Sequence, residues 1–422
     1  MDPEPIQPSP ILPSEDWREC PDCGLFCRLP PRQPGLVADC PRCGDTLWRM
    51  RRARRSFPLA CALAGLLFYL FAVVAPFLEI EAFGRFSLAR LYTGPAELLA
   101  QGFGLVAALV FAVTLITPAI KLAILLITLG GLRILPPRWL KLVFRWYKPV
   151  SPWAMIDVYL LGFLVAYTRL TGLALVHLDT AVFALIGFML AMAAADGSMD
   201  IEQVWRMIHA RETHPQHSGT DISHSGQHTL MGCEACHLVN EAHPGDACRR
   251  CHTILQPRKP QSISRTWALL LAAMALYIPA NLYPFMIITR LAQTQGYTIT
   301  GGILELAQDG LWPLAALVFF ASITIPLLKI LAMIYMLLAT QNGSTRHLLG
   351  RTRAYRIIDF IGRWSMIDVF MVSILVALLR FGRFANVRAD IGALCFAAVV
   401  VLTIFAAEMF DPRLMWDAEQ ST

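Results

Sequence analysis

The sequence is poor in charged residues. Asp, Glu, Lys and Arg make up 16% of its 422 residues, against about 25% in a typical soluble protein, and 56% of the residues are hydrophobic. So few charges cannot cover the surface of a water-soluble protein of this size, and so much apolar sequence excludes intrinsic disorder. We therefore expect a large part of the chain to face lipid.

The sequence also lacks the common signatures of enzymes. It contains no G-x-x-x-x-G-K-[ST] loop for nucleotide phosphates, no H-E-x-x-H metalloprotease motif and no G-x-S-x-G nucleophile motif. Its polar, proline-rich N-terminal segment lacks the basic region and apolar core of a cleavable signal peptide. These absences predict a protein that is not an enzyme and that keeps its N-terminal segment.

What the sequence does contain is a series of long apolar runs. Most of them reach the roughly 20 residues that a membrane-spanning helix needs. They predict eight transmembrane helices, of which the third and the seventh are the weakest because they contain Asp157 and Asp368. The runs lie at about 57–80, 104–132, 152–170, 174–195, 267–288, 311–340, 364–382 and 390–410.

The basic residues indicate how these helices are oriented. If the N-terminus is cytoplasmic, 27 of the 36 Lys and Arg residues fall in cytoplasmic segments and seven fall in segments on the other side. Lys and Arg are enriched in the cytoplasmic loops of membrane proteins, so we expect both termini in the cytoplasm. The same bias accounts for the net charge of +6 without a nucleic-acid partner.

The chain contains two similar halves. At an offset of 208 residues Lys121 corresponds to Lys329, and the segment Ala-Ala-Leu-Val-Phe is present in both halves. Three additional residues in the second half then raise the offset to 211, at which Asp157 corresponds to Asp368. Each half contains four predicted spans, and an even number gives both halves the same orientation. The sequence therefore predicts two parallel tandem repeats of four transmembrane helices.

Eight of the eleven cysteines occur in C-x-x-C pairs. In the first cluster, sixteen residues separate two such pairs, and this spacing is typical of a four-thiolate zinc site. The expected cytoplasmic location is reducing, which disfavours disulfides. Cys27 lies in the same segment and is predicted not to be a ligand. The predicted zinc ligands are Cys20, Cys23, Cys40 and Cys43.

The second cluster admits two interpretations, because His237 and His252 turn its two pairs into C-x-x-C-H, the signature of covalent haem attachment. Three observations favour zinc over haem. The cluster occupies the repeat position of the first one, its predicted location is cytoplasmic, and eleven residues between the pairs are few for two haems. The two histidines stay open as competing ligands. The predicted zinc ligands are Cys233, Cys236, Cys248 and Cys251.

These features define the predicted fold class and domain organisation. We expect an α-helical polytopic membrane protein in which a small zinc-ribbon-like cytoplasmic domain precedes each repeat. Eight of the ten histidines lie between residues 209 and 252, and we interpret this segment as a solvated linker, with a metal reservoir as the alternative. The predicted units are a disordered N-terminus (1–19), zinc ribbon 1 (20–48), transmembrane repeat 1 (57–195), a His-containing linker (196–232), zinc ribbon 2 (233–255), transmembrane repeat 2 (266–410) and a cytoplasmic tail (411–422).

Six polar or helix-breaking residues of the predicted spans are candidates for a functional site, because an ionisable group inside a membrane is costly and a proline loosens a helix. A rise of 1.5 Å per residue puts Lys121 roughly 17 Å and Asp157 roughly 8 Å from the cytoplasmic helix ends. A long lysine side chain can bridge much of the gap between these two depths. We therefore predict Lys121–Asp157 and Lys329–Asp368 pairs. In the alternative, each lysine reaches towards the headgroups and each aspartate caps its helix. The six candidates are Lys121, Lys329, Asp157, Asp368, Pro118 and Pro326.

With these motifs, nearly the whole chain resembles the paraquat-inducible protein A (PqiA) family, which includes the LetA-type proteins. The resemblance rests on residues 362–370 (Gly-Arg-Trp-Ser-Met-Ile-Asp-Val-Phe), 277–281 (Tyr-Ile-Pro-Ala-Asn) and 410–417 (Phe-Asp-Pro-Arg-Leu-Met-Trp-Asp), and on the tandem C-x-x-C clusters. The histidine after each pair of the second cluster departs from the family's pattern.

The resemblance implies a protein of the inner membrane of a Gram-negative bacterium. Members of the family act beside mammalian cell entry (MCE) domain proteins, which form a periplasmic tunnel for lipids. The resemblance therefore implies that the chain moves phospholipid between the inner membrane and such a tunnel and so maintains the envelope. Two alternatives stay open: a scaffold or regulator of an MCE protein that handles no lipid, and a cytoplasmic metal or redox sensor whose thiolates act as the switch.

Overall fold

The structure is a computed structural model of the 422-residue chain. Most of the predicted disordered N-terminus and residues 212–228 of the predicted linker lie outside the described residues. The structure describes residues 16–30, 35–49, 56–82, 85–171, 175–211, 229–290, 293–308, 310–378 and 385–420.

Nine α-helices occupy the described part of residues 56–211, which we call the first half. The apolar composition of the long helices and the prolines at their first positions account for where several of them begin. They are α1 (Ser56–Val74), α2 (Thr93–Ala100), α3 (Gly104–Phe111), α4 (Thr117–Gly131), α5 (Pro137–Phe144), α6 (Tyr147–Val150), α7 (Ile156–Thr171), α8 (Thr180–Ser198) and α9 (Ile201–His209).

The described part of residues 262–420, the second half, has almost the same order of helices. One long helix, α14, takes the place of the two shorter helices α5 and α6. The helices are α10 (Ser262–Leu282), α11 (Ile299–Gln308), α12 (Trp312–Phe319), α13 (Ile325–Gln341), α14 (Leu348–Gly362), α15 (Ile367–Leu378), α16 (Ile391–Met409) and α17 (Leu414–Gln420).

Eight segments of the described residues are long and apolar enough to cross a membrane, which confirms the predicted number of spans. The third and seventh segments differ from the prediction. They start at Pro137 and Leu348, about fifteen residues earlier than expected, because α5 and α14 are amphipathic and their polar residues hide them from a search for continuous apolar runs. In both segments a short 3₁₀ turn, Ser151–Trp153 or Arg363–Met366, precedes the final helix.

Both prolines predicted to loosen a span follow a π-helical turn. The turns are Ala112–Ile116, two residues before Pro118, and Phe320–Thr324, two residues before Pro326. A proline lacks the backbone donor that a regular helix needs at its position, and π-turns are frequent at functional sites. Tyrosine hydroxyls donate hydrogen bonds to the loosened turns, from Tyr69 to the carbonyl of Leu115 at 2.8 Å and from Tyr277 to that of Ile323 at 3.3 Å.

Short β-strands complete the described structure. They form two kinds of unit: two-stranded hairpins around the cysteines, and three-stranded sheets between the long helices. The strands are β1 (Trp17–Glu19), β2 (Phe26–Arg28), β3 (Val37–Asp39), β4 (Thr46–Arg49), β5 (Leu78–Ala82), β6 (Arg85–Ala89), β7 (Leu175–Leu178), β8 (Thr229–Gly232), β9 (Val239–Ala242), β10 (Met286–Arg290), β11 (Gln293–Tyr297) and β12 (Ala385–Ala389).

The two three-stranded sheets have the same topology. Strand order is β6-β5-β7 in the first and β11-β10-β12 in the second, with antiparallel neighbours throughout. Since β5 follows the end of α1, whose start follows the first cysteine cluster, the sheets lie at the opposite end of the helices from the cysteines. Each sheet therefore joins the loop that follows the first span of its half to the loop between the third and fourth spans.

The two cysteine modules, residues 17–49 and 229–255, are crossed relative to their order in the chain. The first module precedes the first half, yet its apolar core packs against Leu337, Phe410 and Trp416 of the second half. The second module contacts the first half, where Nζ of Lys148 in α6 donates to the backbone carbonyl of Glu234 at 2.7 Å. Each module therefore contacts the half that it does not immediately precede. Arg18 of the first module also pairs with Glu202 of the first half at 3.6 Å.

Several predicted unit boundaries are corrected by the structure. Residues 17–19 form strand β1 of the first module and do not belong to a disordered N-terminus. The predicted linker contains the end of α8, the whole of α9 and strand β8. The predicted tail forms α17 and is packed, with Trp416 only 4% exposed. Polar composition suggested solvated segments here, but α9 and α17 bury the apolar side chains of Trp205, Ile208 and Trp416.

Candidate functional site

In the first module, four cysteines from two hairpin turns come together. The Sγ atoms of Cys20 and Cys43 are 3.4 Å apart and those of Cys23 and Cys40 are 3.5 Å apart, and all four thiols are buried. Tetrahedral zinc with Zn–S bonds of about 2.3 Å separates its sulfurs by about 3.8 Å, so the group fits one such ion. Each turn ends on a glycine at positive φ, which a residue with a side chain adopts less readily: Gly24 at +72° and Gly44 at +70°.

The second module repeats this geometry. The four predicted cysteines of this module form one group, in which all Sγ atoms lie within 4.8 Å of one another. His237 and His252 take the glycine positions, with φ of 60° and 58°, and their backbone N–H groups donate to the carbonyls of Cys233 and Cys248. The histidines therefore complete the two turns. The Sγ separations are 3.4 Å for Cys233–Cys251 and 3.6 Å for Cys236–Cys248.

Neighbouring polar groups face the thiols of both modules. In the first, Nη2 of Arg356, a residue of α14, lies 3.3 Å from Sγ of Cys43. In the second, the side-chain amide of Asn240 lies 3.6 Å from Sγ of Cys248. A cation or an N–H donor stabilises the negative charge of thiolates that bind a metal. Arg356 thereby connects the first four-cysteine group to a helix of the second half.

Lys121 is buried and forms an ion pair, but with a different aspartate than predicted. Its Nζ lies 2.6 Å from Oδ2 of Asp196 in α8, and the hydroxyl of Tyr147 donates to Oδ1 of Asp196 at 2.7 Å. The predicted Lys121–Asp157 pair is wrong. Asp157 lines the same cavity of about 200 Å³ without bonding to Lys121. The error arose because α8 continues to Ser198, which brings an aspartate placed in the linker into the helix bundle.

Lys329 is 3% exposed and lines a separate cavity of about 240 Å³ together with Asp359 and Glu408. Its predicted partner, Asp368, instead accepts a hydrogen bond from the hydroxyl of Ser322, so the predicted Lys329–Asp368 pair is also wrong. Asp359 lies in the segment where the second half has three additional residues, and Glu408 lies in the last turn of α16. Neither position has an acidic counterpart in the first half.

A buried network of charges joins the two modules to residues 411–417. The Arg413 guanidinium donates to both oxygens of Asp411 at 2.9 Å and to Oε1 of Glu19 at 3.0 Å. The other Glu19 oxygen accepts from the backbone N–H of Gly232 at 2.7 Å. Arg258 binds both oxygens of Asp417, at 2.7 and 3.0 Å. The network therefore connects three segments that are remote in the sequence.

The electrostatics of this network follow from burial and pairing. Burial alone would raise the pKa of Asp411, but the hydrogen bonds and charge of Arg413 outweigh it and hold that pKa below its ordinary value. Burial raises the pKa of Glu19 above its ordinary value, although Arg413 opposes the shift. Burial would lower the pKa of Arg413, and the bonds to Asp411 raise it overall. Arg413 is therefore the cation on which both carboxylates depend.

A cleft of about 820 Å³ lies between the two modules and the adjoining helix ends. The cleft and the cavity around Lys329 are adjacent, because they share part of their walls. The cleft therefore borders the cavity that contains the buried lysine. The shared residues are Pro152, Trp153, Asp359 and Glu408.

Sequence reasoning missed most of the acidic partners in these sites. Asp196 and Glu408 lie at the ends of spans, where an apolar run fades and its boundary is uncertain by several residues. The signal for both was available, since each is a single acid within one turn of a helix end on the side where the lysines were expected. Glu19 and Arg413 carry no local signal of their contact.

Within the described residues, eight apolar segments and two groups of four buried cysteines define a multi-pass α-helical membrane protein with two candidate metal sites. The family model of paraquat-inducible protein A matches residues 56–209 and again residues 263–420. The chain belongs to the paraquat-inducible protein A family, as its sequence motifs predicted.

Curated relatives match almost the whole chain. It is 31% identical over 95% of both chains to the intermembrane transport protein PqiA of Escherichia coli strain K12. It is 30% identical to the lipophilic envelope-spanning tunnel protein A of the same strain, over 97% of this chain and 93% of the relative. A probable intermembrane transport protein of Haemophilus influenzae is 26% identical, over 94% and 95%. No solved structure matches the chain.

Proposed function

We propose that the chain is the inner-membrane component of an MCE-type phospholipid transport system. In this role it loads or receives lipid between the inner membrane and a periplasmic MCE tunnel and so maintains the envelope. The observation that carries the proposal is the match over 95% of both chains to a relative named as an intermembrane transport protein. Names of relatives that refer to transport also agree with a protein that is not an enzyme.

The proposal includes the finer architecture. The two halves are parallel repeats of four membrane helices, supported by two separate matches of one family model and by two sheets of identical topology. The cysteine modules are zinc ribbons at the cytoplasmic side, and both termini are cytoplasmic. The three-stranded sheets are then periplasmic, at the end of the bundle where an MCE partner binds.

Zinc is the proposed metal of both modules. Four thiols at the separations measured suit a tetrahedral ion of d¹⁰ configuration, and both C-x-x-C-H motifs contribute to a single group, which argues against two separate haem attachments. When bound, zinc holds the two turns of a module together and contributes its binding energy to folding. All eight thiols are at most 4% exposed, which supports a structural role over a redox sensor.

Metal analysis of the purified protein tests the zinc sites. We expect two zinc ions per chain and no haem absorbance. Cys43→Ser and Cys248→Ser are each expected to lower the content to about one ion, whereas Cys27→Ser, a change in the same segment as the first group, keeps both. An unchanged zinc content in both ligand variants would contradict the assignment.

Lipid transfer tests the function. Proteoliposomes that contain the chain and a labelled phospholipid are mixed with the soluble part of the MCE partner, and label on the partner is measured over time. We expect transfer that depends on the chain and exceeds transfer from protein-free vesicles. If the partner binds the proteoliposomes while transfer stays at the protein-free level, the scaffold alternative holds and lipid transport by this chain is rejected.

A further inference from the structure

Lys329 is a buried amine without a fixed partner. No hydrogen bond or ion pair joins its Nζ to another side chain in the described part of the protein, although the residue is only 3% exposed. Gly362 provides the space for the amine, because a methyl group there would lie 2.6 Å from Nζ. An unpaired ammonium inside a membrane protein is costly unless water or a counter-charge compensates it. The positive charge of Lys329 must therefore be compensated within the cavity that surrounds it.

The three ionisable side chains of that cavity differ in their exposure to solvent. Asp359 is exposed at the cleft, Glu408 is half-buried and Lys329 is buried. Asp359 and Glu408 are the charges that act on Lys329. Of the other titratable groups nearby, Tyr355 donates its hydroxyl proton to the carbonyl of Ala407 at 2.9 Å, and Lys259 donates to the backbone carbonyl of Glu408 at 2.5 Å. The ionisable residues that line the cavity are two carboxylates and one ammonium. The ammonium of Lys259 acts on Glu408 from outside the lining.

The corresponding lysine of the first half is in a different state. Lys121 is held by Asp196 at 2.6 Å, and Tyr147 occupies the other oxygen of that carboxylate. Its charge is compensated within the protein. The second half has no acid at the position of Asp196, because the offset of 211 places Ala407 there and moves the acid to the next residue, Glu408. The two halves are thus alike in sequence and unlike in the state of their lysine.

We infer that the cavity formed by Lys329, Asp359 and Glu408 is a site that takes up and releases one proton from the cytoplasmic cleft. With all three groups ionised the lining of the cavity carries one excess negative charge, which a single proton neutralises. On uptake, an O–H bond forms on a carboxylate and hydronium becomes water; on release that bond breaks and the proton returns to water. The ammonium of Lys329 keeps the second carboxylate ionised. The inference rests on the proposed function and names the ion that drives it.

Charge displacement in solid-supported membranes tests the site without any lipid transfer. Proteoliposomes of the full chain receive a pH jump at constant salt, and the transient current is recorded. We expect a current in the wild type, its loss in Glu408→Gln and in Asp359→Asn, and an unchanged current in Glu241→Gln, an exposed acid of the second module. A wild type without a current, or variants with the full current, would overturn the inference.

Two further measurements exclude misleading outcomes. A sodium jump at constant pH should give no current, and a sodium current of the size of the pH current would reassign the site to a metal cation. Unchanged zinc content and elution as a single species show that a variant without a current is folded. If Glu408→Gln fails this test, Gly362→Ala is used instead. That change displaces the amine of Lys329 and should change the time course of the current. Lipid transfer without a proton current rejects this inference alone, whereas a proton current without lipid transfer rejects the proposed function.

Discussion

Oε1 of Glu19 lies 3.0 Å from Nη1 of Arg413, although 394 residues separate the two in the chain. Their side chains are 7% and 6% exposed. Arg413 also holds Asp411, so one guanidinium compensates two buried carboxylates from opposite ends of the sequence. The pair thus joins the first cysteine module to the segment that follows the last membrane helix.

We expect Arg413→Ala to be one of the most destabilising single changes outside the cysteines. It leaves Asp411 and Glu19 buried without their cation, and loss of one partner of a buried ion pair costs about 3–5 kcal/mol. The apparent melting temperature, followed by a thiol-reactive dye that reports exposure of the cysteines, should fall strongly. Arg346→Ala removes an exposed arginine and should leave the melting temperature unchanged; similar values for both variants would show that the network adds no stability.

The lowered pKa of Asp411 gives its stabilising contribution a defined pH range. In the folded protein this carboxyl binds its proton at lower pH than in the unfolded chain. The contribution is therefore complete above the ordinary value of 3.8 and is lost as the pH falls through the lower, folded pKa. Melting temperatures of wild type and Asp411→Asn should differ by a constant amount from neutral pH to about pH 5 and converge below pH 3.8. A gap that stays constant at acid pH would argue against this titration.

The partner of Lys121 can be identified by a pair of matched variants. Asp196→Ala removes the carboxylate at 2.6 Å, and because Asp196 is 36% exposed we expect a loss of only about 2 kcal/mol. Asp157→Ala, in the same cavity, should have little effect. Adding Lys121→Met to Asp196→Ala should restore most of the stability, since it removes the uncompensated charge. Should Asp157→Ala be the more damaging of the two, the ion pair assigned here would be incorrect.

The contact between the two halves is tight at Gly94. A methyl group at this position of α2 would lie 2.8 Å from the carbonyl oxygen of Ser373 in α15. We expect Gly94→Ala to destabilise the protein by about 1–3 kcal/mol through overpacking. At Gly104 the nearest atom to such a methyl group is 3.7 Å away, so Gly104→Ala serves as the control. Equal melting temperatures in these two variants would show that α2 and α15 can separate without cost.

The number of spans and the two cysteine groups could be predicted because their signals are local. A membrane helix is a continuous apolar run, and a four-thiolate site is two short motifs, so neither depends on distant parts of the chain. The predicted lysine–aspartate pairs failed for a different reason. Which acid reaches Lys121 depends on where α8 ends, and a shift of three residues changed the partner from Asp157 to Asp196.

Local patterns in the sequence cannot predict contacts between segments that are distant in the chain. The contact of Glu19 with Arg413 depends on how the modules pack on the helices, which no periodicity encodes. The sheets are an intermediate case. The alternation in residues 78–82 (Leu-Glu-Ile-Glu-Ala) predicts a strand with one apolar face, but hydropathy assigned its start to the first span.

The crossed packing of the modules determines when the molecule can be completed during synthesis. The first module is translated before all eight apolar segments. The surface that covers its core, however, includes Phe410 and Trp416, which are translated after all eight apolar segments. The apolar face of the first module is therefore uncovered until these residues have been translated. A chain that stops before residue 410 would leave that face open, and such incomplete products carry a recognisable target for quality-control proteases.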